Sequence, residues 1–229
     1  MKKLYFNLVL FILIPFLGAH AQSKNLSFFG SYNKGYGNIT SKVSSDLYYP
    51  AKDEVEKLRN GKTNQFEVGA FYKHVGLGFI HNGYSKNAST DFINTDFNGD
   101  GITDAGELSD NLKLNYNGVE LLYKFNVFNN KVDVIWKYAI GGQNYSLDKK
   151  IQLIQNSNLS ISEFTFDKTI FTSLVGAEIN YHIFKMLSIG AEVSLLPGNY
   201  KDLKSGNSYY TAKDNVSRIN TGLKATVTL

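Results

Sequence analysis

Apolar and polar residues alternate along this chain in eight separate runs, and no other feature restricts its fold so strongly. A period of two places successive side chains on opposite faces of a strand. In the run 66–73, Phe66, Val68, Ala70 and Tyr72 share one face, and Glu67, Gly69, Phe71 and Lys73 share the other. In 132–141, Val132, Val134, Trp136, Tyr138 and Ile140 oppose Asp133, Ile135, Lys137, Ala139 and Gly141. Leu187, Ile189, Ala191, Val193 and Leu195 oppose Ser188, Gly190, Glu192, Ser194 and Leu196 in the same way. The runs fall at about 25–34, 64–73, 75–86, 112–126, 131–145, 163–182, 187–197 and 215–229. An even number of antiparallel strands closes with both ends on one side.

The connections alternate strictly between short and long. Short ones lie at His74, at 126–131 and at 183–186; long ones run about 35–63, 87–111, 146–162 and 198–214. Short turns on one side and long loops on the other are the rhythm of a transmembrane β-barrel with periplasmic turns and extracellular loops. Composition agrees: 15 Tyr, 16 Phe and 20 Gly accompany only 3 Pro, and the negative mean hydropathy excludes spanning helices. A soluble sandwich would also alternate, but it keeps one wet face per sheet, whereas one face here carries large aliphatics and aromatics on nearly every strand.

Two local features modify this plan. The apolar parity of the fourth run changes from Leu112, Leu114 and Tyr116 to Val119, Leu121, Tyr123 and Phe125, which predicts a β-bulge near Asn117 and Gly118. In the first long loop, residues 50–61 begin with Pro50, place acids early and bases late, and finish at Gly61, which predicts a short surface helix.

The N-terminus bears on the compartment. Lys2 and Lys3 precede an apolar stretch at 4–18, and Ala19-His20-Ala21 forms a small-residue cleavage site, so residues 1–21 read as a secretory signal peptide cleaved after Ala21. Residues 22–229 then form one barrel domain. The leader holds two lysines and no acid, so the net charge falls from +4 to +2, and a nucleic-acid partner is not expected. The chain has no cysteine, so disulfides contribute nothing to its stability.

With the leader, the eight runs and the loop rhythm in view, the chain resembles the bacterial outer-membrane β-barrel domain family, the small OmpA-like and OmpX-like barrels. Its last run, 219–229, alternates like a barrel-assembly signal but closes on Leu229 where Phe is usual. The resemblance implies the bacterial outer membrane as location, with outer-membrane lipid and lipopolysaccharide, and another envelope protein, as partners. Members include membrane anchors, adhesins, resistance factors and lipid-modifying enzymes, so the resemblance implies no single task.

Three sets of residues could carry chemistry. The inward parity gathers Glu67, Glu120, Asp133, Glu178 and Glu192 against Lys73, Lys124, Lys137, Arg218 and Lys224. An eight-stranded barrel is only wide enough for side chains to fill, so these are expected to pair and plug the interior, with a proton or ion path as the alternative. Outside the leader the histidines are His74, His81 and His182; no serine near them has the spacing of a rim-located lipid-modifying enzyme. The second long loop contains Asp96, Asn98, Asp100, Gly101, Ile102, Asp104 and Glu107 in the order of an EF-hand-type loop. Side-chain oxygens of Asp96, Asn98, Asp100, Asp104 and Glu107 with the Ile102 carbonyl form a Ca2+ ligand set. The expectation is a non-enzymatic barrel with a plugged polar interior and calcium-stabilised extracellular loops, serving adhesion, envelope structure or docking. A rim lipid-modifying enzyme and a narrow solute channel are the alternatives.

Overall fold

The computed structural model describes residues 25–42, 50–96, 101–129, 131–155, 158–203, 205 and 212–229. The expected leader lies outside these, as do Asn98, Asp100 and Asn130. Eight strands form one closed antiparallel barrel: β1 (Leu26–Ile39), β2 (Asn60–Tyr72), β3 (Val75–Thr95), β4 (Asp104–Val127), β5 (Val132–Gln155), β6 (Asn158–Phe184), β7 (Leu187–Leu196) and β10 (Arg218–Thr228). Between β7 and β10, β8 (Asn199–Leu203) and β9 (Ala212–Asn215) pair as a separate two-stranded sheet, and one helix, α1 (Ala51–Lys57), precedes β2. Pro50 stands at the helix start with Asp53 and Glu54 in the first turn and Lys57 in the last, as the sequence predicts.

Closure is made by β1 on β10, in register from Phe29 opposite Thr228 to Ile39 opposite Arg218. Phe28 and Leu229 exchange two backbone hydrogen bonds at the foot of this seam, 3.0 and 2.8 Å. No backbone edge is then left in the apolar zone, which a bilayer demands because it offers backbone groups no partner. Leu77, Phe79, Val119, Leu121, Trp136, Tyr138, Val175, Ile189 and Leu223 all project outward and exposed, forming the lipid-facing belt. Among the described residues no helix is long and apolar enough to cross a membrane.

The strands run further than their alternation suggests. β4 and β5 each have 24 residues and β6 has 27, well beyond the roughly 9–11 needed to cross a bilayer. The expected long loops at 87–111 and 146–162 are therefore largely strand. No bulge occurs at Asn117 and Gly118: the pairing of β4 with β3 and with β5 passes through both without a shift. Even-numbered side chains of β4 point inward throughout. What changes at this level is the surroundings. Below it the odd face meets lipid and carries Val119, Leu121, Tyr123 and Phe125; above it the odd face meets water and carries Asn111, Lys113, Asn115 and Asn117, while Leu108, Leu112, Leu114 and Tyr116 are buried inside. Among the described residues of the barrel, the register shifts lie between Phe92 and Thr95 and between His182 and Phe184.

The interior is layered rather than uniformly polar. Phe29, Phe71, Leu122 and Ile135 pack at the periplasmic end. Above them Lys137 reaches Glu67, Glu178 at 2.9 Å and Glu192 at 3.1 Å, and Lys224 reaches Glu67 and Glu178. The remaining carboxylate lone pairs accept from Ser31, Asn33, Gln65 and Asn180 at 2.6–3.1 Å. Next comes an apolar layer of Ile80, Tyr116, Ala139, Leu174 and Leu196. A third apolar cluster, including Tyr84, Leu114, Tyr145 and Tyr200, fills the top. The interior cavity beside the ionic layer holds only about 20 Å³.

The expected five-to-five pairing is corrected by this geometry. Lys73 lies in the β2–β3 turn at φ 56°, exposed against the Tyr72 ring, because a two-residue turn places it past the strand. Arg218 is fully buried, yet its partner is the Asn82 carboxamide oxygen at 2.8 Å, with the Tyr84 ring 5.7 Å away. Asp133 meets His182 at 2.9 Å at the periplasmic mouth, and Lys124 lies over the Phe71 ring. Glu120 is fully buried, and neither of its oxygens has a hydrogen-bond partner among the described residues.

These differences order the lumen substitutions. Lys137→Met leaves Glu67, Glu178 and Glu192 around Lys224 alone and should cost about 3–5 kcal/mol, the penalty of breaking a buried ionic cluster. Glu120→Gln replaces a buried carboxyl whose oxygens have no hydrogen-bond partner among the described residues and should leave the midpoint unchanged or raise it. Urea unfolding of the detergent-solubilised barrel measures both; equal effects would contradict the assignment.

Candidate functional site at the extracellular end

Above the belt the upper halves of β3, β4, β5 and β6 continue as a four-stranded wall, since β2 pairs with β3 only up to Ser85 and β7 pairs with β6 only from Val175. Such a wall has two edges of unpaired backbone, and the structure treats them differently. On the β3 side, α1 closes the edge. Lys57 Nζ donates to the Ser89 carbonyl at 2.7 Å and to the Thr90 hydroxyl at 2.9 Å. Glu54, completely buried, receives the Thr90 hydroxyl at 2.8 Å and the backbone N–H of Asp110 at 3.1 Å.

On the β6 side, among the described residues, no strand pairs with the outward edge of residues 158–165; a single bridge joins Phe166 to Ser205. This stretch, Asn-Leu-Ser-Ile-Ser-Glu-Phe-Thr, contains neither Pro nor Lys, the residues that usually blunt an exposed edge. On its outer face Leu159 stands directly opposite Ile154 of β5, with Ile161 two residues along, and all three are about half exposed.

Between α1, the wall and the β8–β9 hairpin lies a mouth cavity of about 350 Å³. Asp110 lies against it with its Oδ2 on Lys149 at 2.9 Å and its Oδ1 without a hydrogen-bond partner among the described residues. Burial pushes the Asp110 carboxyl above its ordinary range, with Lys149 opposing. Burial likewise raises Glu54, helped by the Asp110 charge, and raises Asp214 against the Tyr145 hydroxyl that donates to it. Sequence reading misses Glu54, Asp110 and Asp214. Asp110 is detectable as an acid on the inward parity of β4, but Glu54 and Asp214 belong to segments whose side-chain direction no periodicity fixes.

The calcium-loop residues are only partly brought together. Gly101 adopts φ +82°, and its N–H donates to Asp96 Oδ2 at 3.0 Å. Asp104 begins β4 on the buried face, opposite Thr95. Glu107, three residues on, lies on the other face directly opposite Asp91. Ile102 is exposed. Of the histidines, His81 contacts the Asn117 carboxamide oxygen at 2.8 Å and His74 the Lys124 carbonyl at 3.0 Å.

The closed eight-strand ring, its lipid-facing belt and its asymmetric ends decide the architecture. The fold is that of an outer-membrane β-barrel. It is similar to a major outer membrane protein from Thermus thermophilus, with 14% identity over 89% of this chain and 99% of that one and a TM-score of 0.52. Less close in shape are Neisserial surface protein A, at 10% identity, 90% and 97% coverage and a TM-score of 0.43, and the N-terminal β-barrel domain of Pseudomonas aeruginosa OprF, at 12%, 91% and 100%, and 0.39. No family model and no curated protein matches the chain.

The buried carboxyls give the helix a pH dependence. Groups whose folded pKa is raised bind protons more tightly in the folded state, so their destabilising effect is present above the raised value and relieved as pH falls through it. The docking of α1 should therefore tighten as pH falls from neutrality toward the ordinary carboxylate range, with Asp53, lowered by Lys57 and Thr90, opposing at lower pH. Limited proteolysis at 50–60 across this window reads the effect. Glu54→Gln should flatten it, and an unchanged profile in that variant would remove Glu54 from the explanation.

Proposed function

We propose that the chain is exported to the bacterial outer membrane, losing residues 1–21, and serves there as a non-enzymatic docking barrel whose open β6 edge takes up an extended segment of another protein. The observation that carries this is the unpaired edge at 158–165 beside the exposed trio Ile154, Leu159 and Ile161. Strand addition supplies main-chain hydrogen bonds for affinity and alternate side-chain positions for specificity. That the opposite edge is covered by α1 while no described residue pairs with this one favours a use for it. The filled lumen speaks for a surface role over passage of solutes.

A second copy in the same membrane is a poor occupant. Both copies would send β6 downward, so their edges could meet only in parallel, and a two-fold axis along the membrane normal would turn the inner face of one sheet to the outer side of the other. An extended segment of a separate protein can approach antiparallel. Its best match carries β-branched residues next to Leu159 and Ile161 and a base near Glu163.

A ten-residue peptide of alternating Thr and Val with one central Lys is a suitable probe. Added at millimolar concentration, it should slow amide hydrogen exchange at 158–165, and Ile161→Lys should abolish the slowing while the heat-resistant barrel band on a gel persists. Unchanged exchange at 158–165, or slowing along β3 instead, would refute strand addition at β6.

A second reading concerns calcium. It is supported by the Asp96–Gly101 turn and by the like charges of Glu107 and Asp91, directly opposed across the ladder, which a cation would relieve. For Asp104 and Glu107 to converge on one ion, the first residues of β4 must leave their pairing with β3. Calcium chloride titrated calorimetrically to millimolar concentration should give a binding heat with a dissociation constant of about 10⁻⁴ to 10⁻³ M, absent in Glu107→Gln. No heat in the native protein would leave the acidic stretch a solvated turn.

A further inference from the structure

The mouth cavity is built like a ligand site, and the docking edge does not use it. Its volume of about 350 Å³ lies in the range of small-molecule pockets, roughly 300–1,000 Å³. Val55 and Leu58 of α1 and its C-terminal cap, Leu112 of β4, Leu147 of β5, Phe166 of β6 and Val216 after β9 give it apolar walls. Each of these parts of the chain turns a hydrophobic residue toward the same space, as do Ile39 of β1 and Leu203 of β8.

Its charges are arranged unequally. Asp110 is 2% exposed, and its Oδ1 has no hydrogen-bond partner among the described residues. A buried carboxylate oxygen left unpaired is destabilising, so a donor brought to it is favoured. The nearby bases do not supply it: Lys149 is on the other oxygen, and the Arg59 guanidinium is committed to the Ile39 carbonyl at 3.1 and 3.0 Å. Lys42 is exposed at the rim. Asp214 adds a second carboxylate, and Glu54 approaches Asp110 through the Asp110 backbone N–H. Lys42, Arg59 and Lys149 outnumber Asp110 and Asp214 in the lining, but the atom left without a partner among the described residues is an acceptor, so this position calls for a donor.

We propose that this cavity binds a small apolar compound bearing one ammonium group, with the ammonium on Asp110 Oδ1 and the hydrocarbon part among Leu112, Leu147 and Phe166. The ammonium gives a charge-assisted hydrogen bond to an oxygen already desolvated by the fold. The hydrocarbon covers surface that α1 and the hairpin leave open to water. Compounds of aralkylamine size match the volume.

The test uses the full barrel in zwitterionic lipid nanodiscs, with empty nanodiscs as reference, and two probes of equal shape and opposite charge. Titration calorimetry should detect 2-phenylethylamine and not 3-phenylpropionate. Asp110→Asn, which keeps the backbone N–H that Glu54 accepts, should weaken the amine at least tenfold. Leu147→Trp, which fills the cavity without touching a charge, should abolish binding, and it decides the matter if Asp110→Asn fails to give the heat-resistant barrel band. Equal binding of both probes, binding of neither, or amine binding unaffected by Leu147→Trp would overturn the proposal.

Discussion

Every other property of this protein depends on the pairing of β1 with β10. A sheet in lipid must satisfy all of its backbone groups internally, and only closure does so. The seam extends from the Phe28–Leu229 hydrogen bonds to Ile39 opposite Arg218, so it covers the whole apolar belt. Closure also dictates the interior: eight strands leave a lumen just wide enough for side chains, and what enters must pack or pair. Glu67, Glu178 and Glu192 are tolerable inside only because Lys137 and Lys224 lie between them and neutral donors take up the remaining lone pairs.

Once closed, the same strands serve two solvents. In the belt the outside is apolar and the inside carries charge; above it the outside is polar and the inside is aromatic and aliphatic. β4 shows the exchange within one strand, with Lys113 outside and Leu114 inside at the upper level, and Leu121 outside and Glu120 inside at the lower. The inversion stiffens the upper sheet, because Tyr84, Leu114, Tyr145 and Tyr200 give it a hydrophobic core independent of the membrane.

That inversion also explains what is legible in the sequence. The eight strands, their antiparallel order, the short turns and α1 can all be read from alternation and from turn and helix-end signals. The bulge expected at Asn117 and Gly118 misreads the inversion: periodicity reports which face is apolar, not which solvent that face meets. The upper strands at 87–95 and 146–155 are hidden because Ser, Thr, Asn and Lys on their outer faces resemble loop composition. Parity places Lys73 inside the barrel although the chain has already entered the turn there. At the candidate sites, the Asp96 to Glu107 spacing is visible as a motif, and its partial dispersal along β4 follows from strand pairing that reaches down to Asp104. The open β6 edge and the mouth cavity leave no trace in the sequence, since both arise from where neighbouring strands stop.

The direction of β6 has a mechanical consequence. Its upper part, about 16 residues at roughly 3.3 Å each, tilted some 40° from the membrane normal, carries the edge about 40 Å above the belt. A segment laid along that edge and drawn away from the cell would be pulled more along its own axis than across it. Its hydrogen bonds would then bear the force together, in shear, instead of parting one after another from an end. Attachment of that kind resists being dragged outward far better than being peeled sideways, so the orientation of one strand sets the direction in which such an attachment is strong.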